Sequence, residues 1–270
     1  MIRDIFTAID NSEKSRLFLR TLYEIAEQLD LHVHVAVLTP SPMVSPKLAP
    51  FGGLYEPAFA LRADAQAAEV GVRAQLFGLG DRVRVTSELD DVAFLPSDLK
   101  RAHPISDLNI IGAADSWEVT WLRQHVIQSL VFNSGTPVLL MPPRPILREL
   151  DHIVIGWKPS AETIRTLHDV ATIANAGALI ELVTISPETS EDENDLPVVK
   201  FLQRHGFRAE RRRLQSRGDD ANHLQDYAKR RKASMLAIGA YGHSRFREMI
   251  LGGVTRSFLQ VVRLPTLLSR

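Results

Sequence analysis

Apolar and polar positions along this chain follow two periods, and the order of those periods repeats. The first run, Ile5-Phe6-Thr7-Ala8-Ile9, is short and apolar. It ends at Asp10-Asn11-Ser12, residue types that favour turns and helix caps. Phe18, Leu22, Ile25, Ala26 and Leu29 then fall on one face of a helix. Val33-His34-Val35-Ala36-Val37-Leu38 reads as a second strand, closed by Thr39-Pro40. A helix between two apolar strands predicts parallel pairing, with both faces of the sheet covered.

The same sequence of signals returns further on. Ile153-Val154-Ile155-Gly156-Trp157 is followed by Lys158-Pro159-Ser160, then by helical spacing through Ile164, Leu167, Val170, Ala171 and Ala174. Leu179 to Ile185 closes the unit as a strand. Asp10 aligns with Lys158. Leu108-Asn109-Ile110-Ile111-Gly112-Ala113 aligns with Met235-Leu236-Ala237-Ile238-Gly239-Ala240, and Pro137-Val138-Leu139-Leu140-Met141 with Pro265-Thr266-Leu267-Leu268. Three anchors in one order mark an internal duplication. The first copy carries about twenty more residues, placed over 40–60, where Pro40 to Pro57 holds five prolines and Gly52-Gly53. That stretch is a surface loop or a functional lid.

Between these anchors, Leu61 to Leu79 has a helical pattern and Arg82 to Thr86 alternates like a half-exposed strand. In the second copy Val198 to His205 reads as helix, Phe207 to Leu214 as strand, and His223 to Lys232 as helix. Each copy is expected to be an α/β unit: an open, mostly parallel sheet of five strands with flanking helices. The boundary is expected near Pro142-Pro143-Arg144-Pro145, giving domains 1–146 and 147–270.

Composition narrows the function. Of 270 residues, 32 are Lys or Arg and 32 Asp or Glu, so no net charge draws the chain to nucleic acid. Cysteine is absent, which excludes thiol catalysis, disulfides and cysteine metal sites. MIRDIFTAID lacks the basic start and long apolar core of a signal peptide, and no apolar stretch is long enough to span a bilayer. A cytoplasmic protein is expected. His32 and His34 alternate on one strand face with no evident third ligand. Arg211-Arg212-Arg213 and Lys229-Arg230-Arg231-Lys232 are basic runs on faces expected to be solvated.

The segment richest in chemistry runs Ile238-Gly239-Ala240-Tyr241-Gly242-His243-Ser244-Arg245, continues through Leu251, and ends Gly252-Gly253-Val254-Thr255 before a helical pattern. Glycines at a strand end let a ligand approach the backbone closely. A glycine pair before a helix aims free N–H groups at an anion. His243, Ser244, Arg245 and Thr255 add side-chain donors. The pattern is neither a Walker loop nor GxGxxG. The alternative reading of these glycines is tight packing at a seam between the copies.

The spacing Gly239, Gly242, Gly252 inside GAYGHSRFREMILGGVTR resembles the nucleotide-binding loop of universal stress proteins, and the duplication makes the whole chain similar to a tandem member. The resemblance implies Rossmann-like five-stranded domains paired through their last strands as an intramolecular pseudo-dimer. It implies ATP or a related adenine nucleotide, held by an aspartate after the first strand, by backbone near the end of the second, and by the glycine loop. It admits ATP, with or without magnesium, in the second half and no cofactor in the first. It allows a further homodimer, and implies slow ATP hydrolysis or autophosphorylation at most.

Carried over residue by residue, the inheritance is split. In the second half the loop is present, with Gly253 replacing a hydroxyl residue, Thr184 at the second strand and Lys158 where the aspartate belongs. A lysine cannot accept a hydrogen bond from an adenine amino group. Lys158 then either reaches phosphate or marks a lapsed pocket with a solvated ammonium. The first half keeps Asp10 and Val37, but Asp115 stands where the second loop glycine belongs, and Gln124 and His125 hold the last loop positions. A carboxylate there repels phosphate, so no triphosphate is expected in the first half. Two functions remain: a nucleotide-binding stress-response protein, or an interaction module that keeps only the fold.

Overall fold

The computed structural model describes residues 2–41, 58–91, 95, 105–144, 149–186, 196–216, 218–240 and 261–270. The proline-rich 42–57 stretch therefore lies outside the described residues. The chain divides into two compact units, Arg3–Thr136 and Pro137–Arg270 with Met1–Ile2.

In the first unit, β1 (Asp4–Ile9) leads through helix α1 (Arg16–Leu29) to β2 (His32–Ser41). Helix α2 (Ala58–Gln75) and a 3-10 turn (Phe77–Arg82) lead to β3 (Val83–Asp91). β4 (Leu108–Ile111) and helix α3 (Thr120–Asn133) follow. The strand order is β3-β2-β1-β4, with β1 parallel to both β2 and β4. Every residue of β4 is buried, as a strand covered on both faces must be. The turn into α1 is set by Asn11, whose Oδ1 accepts from the N–H groups of Glu13 and Lys14, each at 3.0 Å.

The second unit opens with β5 (Val138–Leu140) and β6 (His152–Gly156), then helix α4 (Ala161–Ile173) and β7 (Leu179–Ser186). Helix α5 (Leu196–Arg204), β8 (Arg208–Gln215), helix α6 (Asp220–Arg230), β9 (Met235–Gly239) and β10 (Thr266–Ser269) complete it. The strand order is β5-β10-β9-β6-β7-β8. All neighbours whose register is defined are parallel except β5 and β10, which pair antiparallel with Leu139 opposite Leu267. The last strands of the two sequence repeats thus lie side by side within this unit.

Helix α4 begins on a capping box: Ser160 Oγ accepts from Thr163 N at 3.3 Å, and Thr163 Oγ1 accepts from Ser160 N at 3.2 Å. The core strands are saturated with aliphatic side chains, among them Ile153, Val154, Ile155, Leu236 and Ala237, all fully buried. An α/β fold with mostly parallel strands and flanking helices is what the alternating pattern predicts.

Candidate functional site

In open α/β sheets ligands bind beyond the carboxyl ends of the strands, where the strand order reverses. Each unit has such a point. In the second, the chain leaves β6 toward β7 and β8, while β9 returns on the other side of β6. Lys158 lies just past β6 and Gly239 ends β9, so these two residues flank the crevice. In the first, the reversal falls between β1 and β4, flanked by Asp10 and Gly112.

The second-unit lip is built by α4. A Cβ on Gly239 would lie 2.9 Å from Thr163 N and 3.0 Å from the Glu162 carbonyl carbon. Only glycine lets the helix start sit this close to the strand end. The Thr163 hydroxyl also donates to the Lys158 carbonyl oxygen. Thr184 Oγ1 donates to the Trp157 carbonyl at 3.1 Å, and Trp157 N donates to Val183 O at 2.8 Å. Main-chain and hydroxyl groups around β6 are therefore fixed. The Lys158 side chain is exposed and, among the described residues, has no ion-pair partner. Gly239, Lys158 and Thr184 are thus brought to one end of one sheet. Gly242, His243, Ser244, Arg245, Gly252, Gly253, Val254 and Thr255 lie outside the described residues.

The first-unit crevice is filled by the chain itself. After Gly112 the backbone makes a 3-10 turn (Ala114–Ser116) instead of a long loop. Asp10 Oδ1 accepts from Glu118 N at 2.9 Å and Oδ2 from Val119 N at 2.7 Å. Ser15 Oγ donates to Ser116 O at 2.8 Å, and Lys14 pairs with Glu118 at 2.7 Å. Helix α3 starts at Thr120, so Gln124 and His125 are helical residues: Gln124 is buried and His125 stacks on Trp121. The fully buried Arg123 donates from Nε to the Gly112 carbonyl at 2.8 Å. Burial lowers its pKa to about 10, against the attraction of Asp115. Burial also raises the Asp10 carboxyl, although the two backbone N–H groups oppose the shift.

Sequence reasoning missed this closure, because main-chain donors carry no residue signature. Arg123 did leave a signal: with Val126, Ile127 and Leu130 it lies on one helical stripe, and all four are buried.

A second unanticipated cluster sits at the other end of the second sheet. Glu181, fully buried on β7, accepts from Tyr227 OH at 2.5 Å and Arg231 Nε at 2.9 Å. His152 Nε2 lies 2.7 Å from its Oε1 and Arg212 Nε 3.7 Å from its Oε2. Burial pushes the Glu181 carboxyl up, but these donors outweigh it and the net shift is downward. Burial and the Glu181 carboxylate together push Tyr227 up to about 12. The sequence signal was a lone acid inside the apolar run Leu179 to Ile185.

A cavity of about 210 Å³ in the first unit lies at the strand amino ends, lined by Asp4, His32, His34, Asp81, Arg82 and Arg84. His34 is buried there with Nε2 2.9 Å from Thr86 Oγ1, and burial with nearby Arg84 lowers its pKa to about 4. No group of three metal-ligating side chains forms among the described residues. No helix among them is long and apolar enough to cross a membrane.

Residues 149–270 match the sequence profile of the universal stress protein family. The sequence matches no curated protein significantly. Among solved structures, the chain superposes on a universal stress protein from Archaeoglobus fulgidus DSM 4304 with a TM-score of 0.69 at 12% identity, covering 99% of this chain and 96% of that one. A protein assigned to the same group from Pseudomonas aeruginosa UCBPP-PA14 gives 0.56 at 16% identity, covering 99% and 93%. At such identities the likeness is one of fold. The second half of the chain, residues 149–270, is a domain of the universal stress protein family, and the chain as a whole has the fold of that family's structures.

Proposed function

We propose that the second half binds an adenine nucleotide such as ATP, or a related anion, at the glycine loop that begins at Gly239, and that the first half is a closed partner copy. The observation that carries this reading is the contrast at the two reversal points. Asp10 is consumed by the Glu118 and Val119 N–H groups, whereas Lys158 presents an exposed, unpaired cation beside Gly239 among the described residues. A lysine at this position fits phosphate oxygens and does not fit the adenine amino group. The phosphate end therefore supplies most of the affinity. Gly239, Gly242, Gly252, Gly253 and Val254 would supply main-chain N–H groups, with His243, Ser244, Arg245 and Thr255 as side-chain donors. Magnesium would enter with the triphosphate, since the described residues offer no metal cage.

One observation favours the second reading, a module that keeps only the fold. The closeness of Thr163 N to Gly239 accounts for that glycine by packing alone. The readings part in one experiment. Thermal unfolding of the full chain is followed with magnesium ATP and with magnesium alone. A binder at about a hundred times its Kd is stabilised by about 2.7 kcal/mol. Wild type is expected to gain on this scale and Gly242→Asp to gain nothing. Equal melts for both proteins, with and without ATP, exclude nucleotide binding and leave the fold-only module.

A further inference from the structure

Charge is balanced over the whole chain but not along it. Between Leu196 and Lys232, eleven lysines and arginines stand against four acidic residues. At the centre of this stretch is β8, the outermost strand of its unit and, among the described residues, bonded to β7 on one side only. Arg208 N donates to Ala178 O at 3.0 Å and Ser216 N to Ser186 O at 3.2 Å. In a parallel pair alternate residues bond to the same neighbour. With the continuous register between these ends, the even-numbered residues of β8 therefore face β7. Ala209, Arg211, Arg213 and Gln215 turn their N–H and C=O groups outward. Arg211 and Arg213 fall on one face of the strand; Arg208, Glu210 and Arg212 fall on the other, where Arg212 pairs with Glu210 at 2.6 Å.

We infer that the outer edge of β8 is a docking surface for an extended, carboxylate-rich segment of a protein partner, which adds to the sheet as a further strand. Strand addition gives main-chain hydrogen bonds to the four outward residues. Alternate acidic side chains on the added strand meet Arg211 and Arg213 on one face, and guanidinium–carboxylate pairs are strong and directional. A second copy of β8 is the wrong occupant, because it would crowd the Arg211 and Arg213 side chains of both copies onto one face. A single-stranded nucleic acid is also disfavoured. It requires aromatic platforms, and Phe207 is buried while Phe201 is stacked against His168 and His205. The positive edge repels basic strands and so selects its partner by charge.

The test uses the full chain and a fluorescent, end-blocked peptide of about ten residues alternating Glu and Thr, a length matched to a strand. Comparison ligands are the Lys–Thr peptide, the Glu–Thr peptide N-methylated on alternate residues, oligothymidine, and phosphatidylserine vesicles. The Glu–Thr peptide is expected to bind, and Arg211→Glu with Arg213→Glu to weaken it by about tenfold or more while leaving the melt unchanged. If that charge reversal unfolds the chain, Arg211→Gln with Arg213→Gln is used to read the same loss. N-methylation is expected to abolish binding. Equal binding of the methylated peptide overturns strand addition, since charge alone then suffices. Tighter binding of oligothymidine or vesicles, lost in the same variant, overturns the choice of a protein partner.

Discussion

The two units carry the same reversal of strand order and treat it in opposite ways. In the first, Asp10, Ser15 and Lys14 bind the segment after β4, and α3 begins at Thr120. In the second, Lys158 stands in the aligned position with its side chain in solvent. The difference shows that an aspartate kept after the first strand is no evidence of a kept ligand. Its acceptor capacity can be turned inward to cap a backbone turn. The buried carboxylate of the second unit is at the other end of its sheet, where Glu181 ties β7 to α6, β6 and β8. One unit is fastened at the carboxyl ends of its strands and the other at the amino ends.

The sharpest way to break this comparison is to remove each fastening. Glu181→Ala leaves Arg231, Tyr227 and His152 without their shared acceptor. It is expected to cost about 3 kcal/mol, read by urea unfolding followed at probes in the second unit. Asp10→Ala strands two main-chain N–H groups and is expected to cost the first unit about 2 kcal/mol, with no change in any ATP-induced shift. A loss of the ATP shift in that variant would show that the first crevice takes part in binding. Gly239→Ala forces a Cβ to 2.9 Å from a backbone nitrogen, and overpacking of this kind costs about 1–3 kcal/mol. A neutral melt there would refute the packing account of Gly239.

Acid separates the two carboxylates by sign. The folded-state pKa of Glu181 is lowered, so its stabilisation is present above the unfolded value, about 4.3, and is lost as pH falls through the folded value. The folded-state pKa of Asp10 is raised. The pH-dependent part of its contribution is fully present below the unfolded value of about 3.9 and is lost as pH rises through the folded one, while its two backbone hydrogen bonds remain. Glu181→Gln is expected to flatten the acid-side loss of the second unit, and Asp10→Asn to remove a small gain in the first. Melts from pH 3 to 6 check both. The smallest stability effect belongs to Lys158→Ala, expected within about 0.5 kcal/mol. The same substitution is expected to weaken the ATP shift by about 1 kcal/mol, so that the two readouts separate.

Much of the architecture was legible because it depends on periodicity. Ile5 to Ile9, Ile153 to Gly156 and Met235 to Gly239 announce buried parallel strands by their unbroken apolar character, and their matched order announces the duplication. Of the candidate site, the sequence placed Gly239 at a strand end and Lys158 just past a strand, and the structure puts both at the same end of one sheet. The closing of the first crevice was not legible. It depends on the N–H groups of Glu118 and Val119, which every residue but proline possesses, and on where α3 begins. Gln124 and His125 were aligned to loop positions by counting from the proline anchors, but in the first unit α3 already begins at Thr120 and both lie inside it.

The antiparallel pairing of β5 with β10 bears on the order in which a ribosome releases this chain. β10 is formed by residues 266–269 and is flanked by β5 and β9. Its partner Val138–Leu140 is synthesised far earlier, yet both neighbours of β10 must wait with bare edges until residues 266–269 have been made. The second unit therefore completes its sheet only after every other strand in it has been synthesised. A shortened gene that starts at residue 149 would leave Leu267 and Leu268 on a permanently open, apolar edge, and its product is the form most exposed to aggregation.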